Sequence, residues 1–286
     1  MLEWLRSRLT GAGGPGRIKG YEIGEQIFSG AFSNIYKAYY GKPQSLVALK
    51  ILTEAGCRIA SLLDKNPATL WEGKLLANLD HPNIVRCVEY GDKPTYWLAM
   101  DFVESKLGNY VGKCDNQEQE HELLSIFAQL ISAITYLHEK GLIHRDISLN
   151  NILVDSSGLP KLIDFGLTVP ADSSVTKGRA GTPSYMAPEM IRKWTHTELT
   201  DIYSFGVVMY EFIIGKKAFK GRMREQRMAS SLNVHPPMPS RLGRYCSPEL
   251  EELLDRCLSK DPETRPKSAQ EIQDALFVIR HKRGLV

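Results

Sequence analysis

The chain has 286 residues, enough to bury a sizeable core or to form two lobes. Its apolar content of 43% and charged content of 24% are ordinary for a soluble globular protein, and a net charge of +3 without evident clustering of basic residues argues against a nucleic-acid partner. No apolar run reaches the ~20 residues that a membrane span requires. Charged residues interrupt the only apolar N-terminal stretch, which argues against a secretory signal.

The five cysteines are scattered, with no C-x-x-C pair and no metal-ligand spacing. An odd number of cysteines without such spacing indicates reduced thiols in a reducing compartment. We therefore expect a cytoplasmic protein.

Residues 1–20 precede the first strand pattern. Leu2, Leu5 and Leu9 share one helical face, and the glycine-rich residues 11–16 are typical of a flexible linker. Two interpretations of the apolar face stay open: a small peg that docks on a protein or membrane surface, and a frayed or locally packed terminus. The second is favoured because chain ends are often disordered.

Residues 21–103 are rich in predicted strands. Runs of β-branched, aromatic and apolar residues predict strands over residues 35–39, 46–51 and 96–100. One helix is predicted in this part, from about Ile59 to Leu79.

Residues 104–282 are predominantly helical. Apolar residues recur every three or four positions over residues 123–137 and predict a helix that ends at Lys140-Gly141. Residues 202–214 are apolar nearly all round, which predicts a buried helix. Two more amphipathic helices are predicted, over residues 248–258 and 268–279.

Two short motifs carry the chemistry. Residues 144–151 read H-R-D-I-S-L-N-N, and D-F-G begins at Asp164. In such a set Asp146 can accept a proton from a hydroxyl nucleophile, while Asn151 and Asp164 hold Mg²⁺ on a nucleoside triphosphate. These motifs resemble those of the eukaryotic-type Ser/Thr protein kinase family, whose catalytic loop reads H-R-D-L-x-x-x-N.

The resemblance covers about residues 21–280. It implies an α+β, bilobal protein kinase fold with nucleotide bound between the lobes. Residues 21–103 would form the small β-rich N-lobe, and residues 104–282 the larger helical C-lobe. The strand-rich first part and the helical remainder fit this fold.

The resemblance also places a glycine-rich hairpin over the triphosphate, and this hairpin is degenerate here. The family pattern G-x-G-x-x-G aligns with residues 28–33, where only Gly30 keeps a glycine because Phe28 and Ser33 replace the other two. Glycine lets backbone amides approach phosphate oxygens closely. We expect the two losses to stiffen or reshape the turn.

Lys50, in the strand sequence V-A-L-K, matches the family lysine that holds the α- and β-phosphates, and Glu72 matches the helix carboxylate that fixes this lysine. By the same resemblance Met100 is the gatekeeper, and the backbone from Asp101 to Val103 bonds the adenine edge. Further contacts to the nucleotide are implied for Ile27, Ile35, Ala48 and Leu153.

Ser148 is the main departure from the family. Most Ser/Thr kinases carry Lys at this place, and tyrosine kinases often carry Arg two residues further on, where this chain has Asn150. A charge-assisted hydrogen bond contributes roughly 1.5–3 kcal/mol. Its loss from the transition state would slow transfer about 10- to 100-fold. The hypothesis is an active but slow enzyme, or one in which another cation takes over.

The segment Gly181–Glu189 resembles the pattern that closes the activation segment of Ser/Thr kinases, which favours Ser/Thr acceptors. The resemblance implies three supporting contacts: Glu189 pairs with Arg265, Asp201 holds the backbone of the catalytic loop, and His144 packs on Phe165. A proton-transfer role for His144 is the disfavoured alternative.

Arg145 precedes the catalytic Asp, and in the family this arginine often receives a phosphate from the activation segment. Ser173, Ser174 and Thr176 lie in the right stretch, with Thr176 preferred. The alternative is an ordinary polar loop. The first interpretation implies autophosphorylation between transiently paired copies of the chain.

The sequence therefore predicts a Ser/Thr protein kinase that uses ATP and Mg²⁺, with Mn²⁺ as an alternative metal, on protein substrates. A second hypothesis is a pseudokinase, a nucleotide-binding or scaffold module with little transfer activity; Phe28, Ser33 and Ser148 favour it. A third, a kinase for small molecules or lipids, is opposed by the protein-kinase-type segment that ends at Glu189.

Overall fold

The structure is a computed structural model. It describes residues 17–41, 45–62, 68–93, 95–105, 107–112, 114–172, 181–193 and 195–285, with the backbone alone for residues 59–62 and 68–71. The apolar face and linker predicted within residues 1–16 lie outside the described residues.

Within the described residues, the first part of the chain is rich in strands and the remainder is mainly helical, as the sequence predicted. The strands are β1 (Arg17–Ile18), β2 (Tyr21–Ser29), β3 (Ser33–Tyr40), β4 (Ser45–Leu52), β5 (Cys87–Gly91), β6 (Trp97–Asp101), β7 (Leu142–Ile143), β8 (Ile152–Val154), β9 (Pro160–Leu162) and β10 (Val169–Pro170). The helices are α1 (Glu54–Leu62), α2 (Ala68–Leu76), α3 (Gln117–Glu139), α4 (Pro188–Lys193), α5 (Glu198–Ile214), α6 (Arg224–Asn233), α7 (Pro248–Cys257) and α8 (Ala269–His281).

The chain forms two compact units. The N-terminal unit comprises the described residues up to Asp80 together with Ile84–Val103, and the C-terminal unit comprises His81–Asn83 together with the residues from Glu104 onward. The three residues His81–Asn83 join the C-terminal unit because the Asn83 side chain and carbonyl bond to Pro160 and Leu162 of the β8–β9 hairpin.

The N-terminal unit is built on a six-stranded antiparallel sheet in the order β1-β2-β3-β4-β6-β5. The three strands predicted from sequence are present as β3, β4 and β6. Alternate residues of these strands point to one face and form an apolar core that includes Tyr36, Leu49 and Trp97. The opposite face is left for other contacts.

The single helix predicted over residues 59–79 is wrong in its bounds. Helix α1 begins at Glu54, directly after β4, and α2 spans Ala68–Leu76. A side-chain cap fixes the start of α1, because the Thr53 hydroxyl accepts a hydrogen bond from the Gly56 amide over 3.1 Å. Such a short N-terminal cap is a local signal that apolar periodicity does not report.

The C-terminal unit is organised around α5, whose residues from Thr200 to Ile214 are all buried, as the sequence predicted. Helix α3 packs against α5 and α8, with the Phe127 ring edge-on to the rings of Phe205 and Phe212. Helix α3 ends at the predicted place, where Gly141 adopts a φ of +66°. The two remaining predicted helices are present as α7 and α8.

Within the described part of the chain, no helix combines the length and apolar composition needed to cross a membrane.

Candidate active site

One face of the N-terminal sheet carries residues expected to contact a nucleotide. In the strand register Ile35 lies opposite Lys50, and Ala48 lies opposite Met100. Directly opposed residues of antiparallel strands project to the same face, and so do residues two apart on one strand. The four side chains therefore share a face, on the side away from the apolar core around Leu49.

The side chains of this face are covered to different degrees. Ile35 and Ala48 are half-buried, and Met100 is buried. Ile27 is 44% exposed and lies where the register between β2 and β3 shifts. Leu153, the remaining residue of the expected adenine set, is half-buried on β8 of the C-terminal unit.

Lys50 and Glu72 meet within the N-terminal unit. The Lys50 ammonium lies 2.8 Å from a Glu72 carboxylate oxygen, and the two side chains are 10% and 1% exposed. An ion pair this well covered is screened little by salt. The strand lysine is thus fixed by the helix carboxylate that the sequence singled out.

The turn between β2 and β3 holds the degenerate glycine-rich motif. It is tight, because the Gly30 amide donates to the Ser33 carbonyl over 2.9 Å. A Cβ atom at Gly30 would lie 2.9 Å from the Phe28 ring and 3.0 Å from the Ser33 carbonyl oxygen, so a larger residue would require these neighbours to shift. Phe28 and Phe32 are 55% and 57% exposed, and the turn therefore presents two aromatic rings to its surroundings.

The segment from Asp101 to Val103 is partly engaged by the protein itself. The Asp101 amide donates to the Arg86 carbonyl over 3.0 Å, and the Asp101 carboxylate accepts two hydrogen bonds from the Arg86 guanidinium. The sequence expectation that the backbone from Asp101 to Val103 bonds the adenine edge stays a prediction. The Asp101 amide is already used, which leaves the Asp101 carbonyl and the backbone of Val103 for that role.

Asp201 anchors the catalytic loop in the C-terminal unit. Its carboxylate accepts hydrogen bonds from the amides of His144 and Arg145 over 2.8 and 3.0 Å and contacts His138 Nε2 at 3.0 Å. Burial alone would raise the pKa of Asp201, but the bonds from His138 and the loop amides outweigh burial and lower it. The anchored loop bends at Arg145, whose φ is +68°.

His144 packs against Phe165 in a T-shaped contact with ring centroids 4.9 Å apart. The Asp146 amide lies 3.3 Å from His144 Nδ1, which acts as the acceptor. Complete burial lowers the pKa of His144, although the nearby carboxylates of Asp201 and Asp146 act in the opposite direction. A buried neutral ring that packs on Phe165 and accepts from the Asp146 amide supports the structural role expected for His144.

Asp146 and Asn151 are joined by hydrogen bonds. The Asn151 side-chain amide donates from Nδ2 to the Asp146 carbonyl over 2.8 Å and to Asp146 Oδ2 over 2.9 Å. The other carboxylate oxygen, Oδ1, accepts from the backbone amide and the hydroxyl of Thr182, both over 2.7 Å. Asp146 is therefore held at both oxygens.

The contact from Thr182 was not foreseen in the sequence. Thr182 lies thirty-six positions after Asp146, and no local pattern joins the two residues. The only available signal was its place in the closing motif of the activation segment, directly after Gly181.

A short hairpin brings Asn151 close to Asp164. Strands β8 and β9 pair with Ile152 opposite Leu162, and the Ile163 amide donates to the Asn151 carbonyl over 2.9 Å. Asp164 follows directly, with a φ of +63° and an exposed side chain.

Asn151 and Asp164 fit the donor set of a hard divalent cation. Because Asn151 uses Nδ2 for its bonds to Asp146, its Oδ1 is the atom left for a metal. The Asp164 carboxylate supplies further oxygen, and oxygen ligands are those that Mg²⁺ and Mn²⁺ prefer.

The family's cation is missing at Ser148, and the structure shows what replaces it. Ser148 is fully buried, and its hydroxyl bonds to no other described residue. Asn150 is exposed. The position thus has a small covered hydroxyl where a long charged side chain would be expected.

Glu189 and Arg265 form the expected pair. Two parallel hydrogen bonds of 2.7 and 2.8 Å join the guanidinium to the carboxylate. Arg265 also donates to the carbonyls of Ser259 and Leu199, each over 2.9 Å, and its side chain is fully buried.

Arg145, the expected phosphate receiver, is buried and donates from Nε to the Leu167 carbonyl over 2.6 Å. The candidate phosphorylation sites Ser173, Ser174 and Thr176 lie outside the described residues.

Known proteins resemble this chain over most of its length. The chain is 32% identical over 250 residues to "Aurora kinase A-A" of Xenopus laevis, covering 87% of this chain and 60% of the relative. It is 33% identical over 255 residues to "Serine/threonine/tyrosine-protein kinase HT1" of Arabidopsis thaliana, covering 85% and 63%. For "Aurora kinase" of Schizosaccharomyces pombe the identity is 30% over 267 residues, covering 92% and 72%.

The chain spans about 60% of the length of the first two of these relatives. A family model described as "Protein kinase domain" matches residues 21–278, which is most of the chain. The match confirms the kinase resemblance and the α+β kinase fold predicted from sequence. The chain belongs to the protein kinase domain family.

Proposed function

We propose that this chain is a Ser/Thr protein kinase that transfers the γ-phosphate of ATP to hydroxyl groups of proteins. The observation that carries the proposal is the Asp146 carboxylate, which Asn151 and Thr182 hold at both oxygens. A carboxylate fixed in this way can orient an alcohol and take its proton as the new P–O bond forms. Most of the remaining barrier is overcome by positioning and charge neutralisation.

Asn151 and Asp164 would hold the metal, Mg²⁺ or Mn²⁺, which neutralises charge on the phosphates when it is bound. Lys50, fixed by Glu72, would hold the α- and β-phosphates. The half-buried and buried apolar side chains on the same sheet face, Ile35, Ala48 and Met100, would contact the adenine ring.

Three narrower points belong to the same proposal. The motif from Gly181 to Glu189 resembles the pattern of Ser/Thr kinases, which favours Ser and Thr as acceptors. The scattered cysteines support a reducing compartment, the cytoplasm. Pairs of this chain would phosphorylate each other's activation segments, with Thr176 as the preferred site.

The test is transfer of labelled phosphate from Mg-ATP to a generic protein substrate. The Asp146→Asn variant should lose on the order of 10²- to 10⁴-fold in rate, the contribution of a positioned general base. Asp274→Asn, on an exposed part of α8, is the control and should keep the rate. Equal rates for wild type and Asp146→Asn would refute the proposal.

Mass spectrometry after incubation with Mg-ATP tests the phosphorylation of the chain by itself. The result expected is phosphate within residues 173–176 of the wild type and none in Asp146→Asn. Wild-type protein that transfers phosphate to other proteins but carries none on this segment would remove the self-phosphorylation step alone.

A pseudokinase is the second candidate, and the buried Ser148 in place of a lysine favours it. Labelled phosphate transfer separates the two candidates, and thermal unfolding with and without Mg-ATP separates a pseudokinase that binds nucleotide from one that does not. A pseudokinase that binds nucleotide would be stabilised by about 2.7 kcal/mol at a ligand concentration of about 100 times Kd, without measurable transfer.

A further inference from the structure

A basic cavity opens in the C-terminal unit beside the closing motif of the activation segment. Its volume is about 590 Å³, and its lining includes Ser184 of that motif. Cationic side chains supply much of the wall, and none of the lining residues is acidic. The cations are Lys217, Lys220, Arg222 and Arg227.

Basic residues cluster in the sequence just after α5, contrary to the expectation that they are scattered. Residues 216–227 read K-K-A-F-K-G-R-M-R-E-Q-R, which holds much positive charge in twelve positions. Only some of these basic residues line the cavity. Lys216 and Arg224 do not line it. The two excluded residues provide matched controls.

Lys217 is a fixed part of the wall. Its ammonium donates to Glu211 Oε2 over 2.9 Å and to the Tyr185 hydroxyl over 2.7 Å, and it lies 4.8 Å from the centre of the Tyr185 ring. The buried Glu211 carboxylate also accepts from the Tyr185 hydroxyl. Lys217 is thus largely neutralised, and the charge open to a ligand must come from its neighbours.

Lys220 and Arg222 supply that charge. Both side chains are exposed, and neither forms a hydrogen bond or an ion pair with another described side chain. Arg227 lies deeper, where its guanidinium donates to the Gly221 carbonyl over 3.4 Å. A guanidinium and an ammonium side by side can bind one phosphate or carboxylate group, the guanidinium through two parallel bonds.

The backbone amides near the cavity are not available to bind an anion. The amides of Arg222 and Met223, just before α6, donate to the Gln226 side chain over 2.8 and 3.2 Å. These amides are therefore already satisfied, and an anion would be held by the cationic side chains.

The cavity lies near the catalytic carboxylate. Ser184 lines the cavity, and Thr182, two residues earlier, donates twice to Asp146. Two Cα–Cα steps span at most about 7.6 Å. An extended substrate covers about 3.3–3.6 Å per residue, so a group in the cavity would lie only a few residues from an acceptor hydroxyl at Asp146.

We propose that this cavity binds a phosphate or carboxylate side chain of the protein substrate, within about four residues of the phosphorylated hydroxyl. The inference rests on the proposed function and narrows it, because it assigns the kinase to substrates that are acidic or already phosphorylated. Phosphoserine and aspartate offer the same oxygen chemistry, with phosphoserine carrying the larger charge.

The first experiment measures peptide binding by fluorescence anisotropy at low salt. The probes are a serine peptide with one phosphoserine moved from four residues before to four residues after the acceptor, the same series with aspartate, and the unmodified peptide. The peptide with phosphoserine at one of these positions should bind at least about tenfold more tightly than the unmodified peptide. Salt should weaken this preference, because the cations are exposed.

Paired variants assign the preference to the cavity. Lys220→Ala with Arg222→Ala should weaken the preferred phosphopeptide about tenfold and raise KM with little change in kcat. Lys216→Ala with Arg224→Ala removes the same charge outside the cavity and should change affinity less than about twofold. Lys220→Arg with Arg222→Lys keeps the charges and should retain most of the affinity. Thermal unfolding establishes that all three variants are folded.

Three results would overturn the inference: equal affinity for all peptides, equal losses in the two alanine pairs, or displacement of the phosphopeptide by single-stranded oligonucleotide that binds more tightly. Its failure can be told apart from failure of the proposed function. If the protein transfers no phosphate but binds phosphopeptide through Lys220 and Arg222, only the proposed kinase function is refuted. If it phosphorylates all peptides equally, only the proposed role of the cavity is refuted.

Discussion

Both units of the molecule contain well-covered ion pairs, and a pair from each unit shows two different ways of building one. Lys50 in the N-terminal unit meets Glu72 through a single ammonium contact of 2.8 Å. Arg265 in the C-terminal unit donates two hydrogen bonds to Glu189 and two more to backbone carbonyls.

Under the proposed function, the difference is between a cation that acts on phosphate and one that supports the fold. A guanidinium is planar and directs each donor to a fixed partner. The hydrogen bonds of Arg265 are therefore used within the protein. An ammonium is a compact point charge with three rotatable donors. Lys50 can therefore be positioned by Glu72 and still offer charge to a phosphate.

The largest effect on stability is expected at Arg265. Arg265→Leu leaves the Glu189 carboxylate and two carbonyls without their partner, which should lower the free energy of unfolding by about 3–5 kcal/mol. Urea unfolding measures this loss. The exposed pair of Arg256 and Glu271 is the control, and Arg256→Leu should cost less than about 1 kcal/mol. Similar losses for both variants would remove the distinction between the pairs.

The next effect is expected at the other pair, and it falls on activity. The double variant Lys50→Met with Glu72→Leu replaces the pair with apolar side chains and should change the free energy of unfolding little, as buried pairs often do. Phosphate transfer should nevertheless fall on the order of 10²- to 10³-fold, because one charge stabilising the transferred group is lost. A double variant that is badly destabilised would give Lys50 a structural role like that of Arg265.

A third prediction concerns the missing cation. Ser148→Lys should raise the transfer rate about 10- to 100-fold if the long side chain reaches out of its buried position. Ser148→Ala should leave the rate unchanged, and it should not lower stability because the buried hydroxyl has no partner among the described residues. A slower Ser148→Lys enzyme would mean that another group already supplies the charge.

The smallest effect is a pH dependence. Burial lowers the pKa of His144 from 6.5, so on acidification the unfolded chain takes up a proton that the folded protein does not. The free energy of unfolding should therefore fall as the pH drops below about 6.5, by up to about 1.4 kcal/mol per pH unit. Urea unfolding at about pH 7.5 and about pH 5.5 measures the slope.

His144→Leu should flatten this slope, whereas the exposed His281→Gln should keep it. The same slope in His144→Leu as in the wild type would assign the acid sensitivity to another group.

The sequence predicted strands β3, β4 and β6 and helices α3, α5, α7 and α8 because their apolar patterns are strong, as in residues 202–214 of α5. It misplaced the helix after β4, where the Thr53 cap determines the start and apolar periodicity is silent. Motif spacing also predicted the partner of Glu189, since the pairing belongs to the family pattern. Apolar periodicity therefore predicts elements whose signal is local, and motifs predict contacts that belong to the family pattern.

Contacts made by the fold were harder to foresee. The bond from Thr182 to Asp146 depends on how the activation segment returns to the catalytic loop. The engagement of the Asp101 amide by Arg86 depends on the pairing of strands β5 and β6. The basic cavity depends on which charges of residues 216–227 face the same space. None of these follows from one-dimensional spacing.

The crowded carboxylate of Asp146 has a consequence for competition between nucleophiles. An ionised carboxylate offers about four lone-pair directions, and Asn151 and Thr182 together fill three. A single further donor can therefore be accommodated. Water and the acceptor alcohol would compete for that one lone-pair direction. Hydrolysis of the triphosphate should therefore slow as acceptor protein is added.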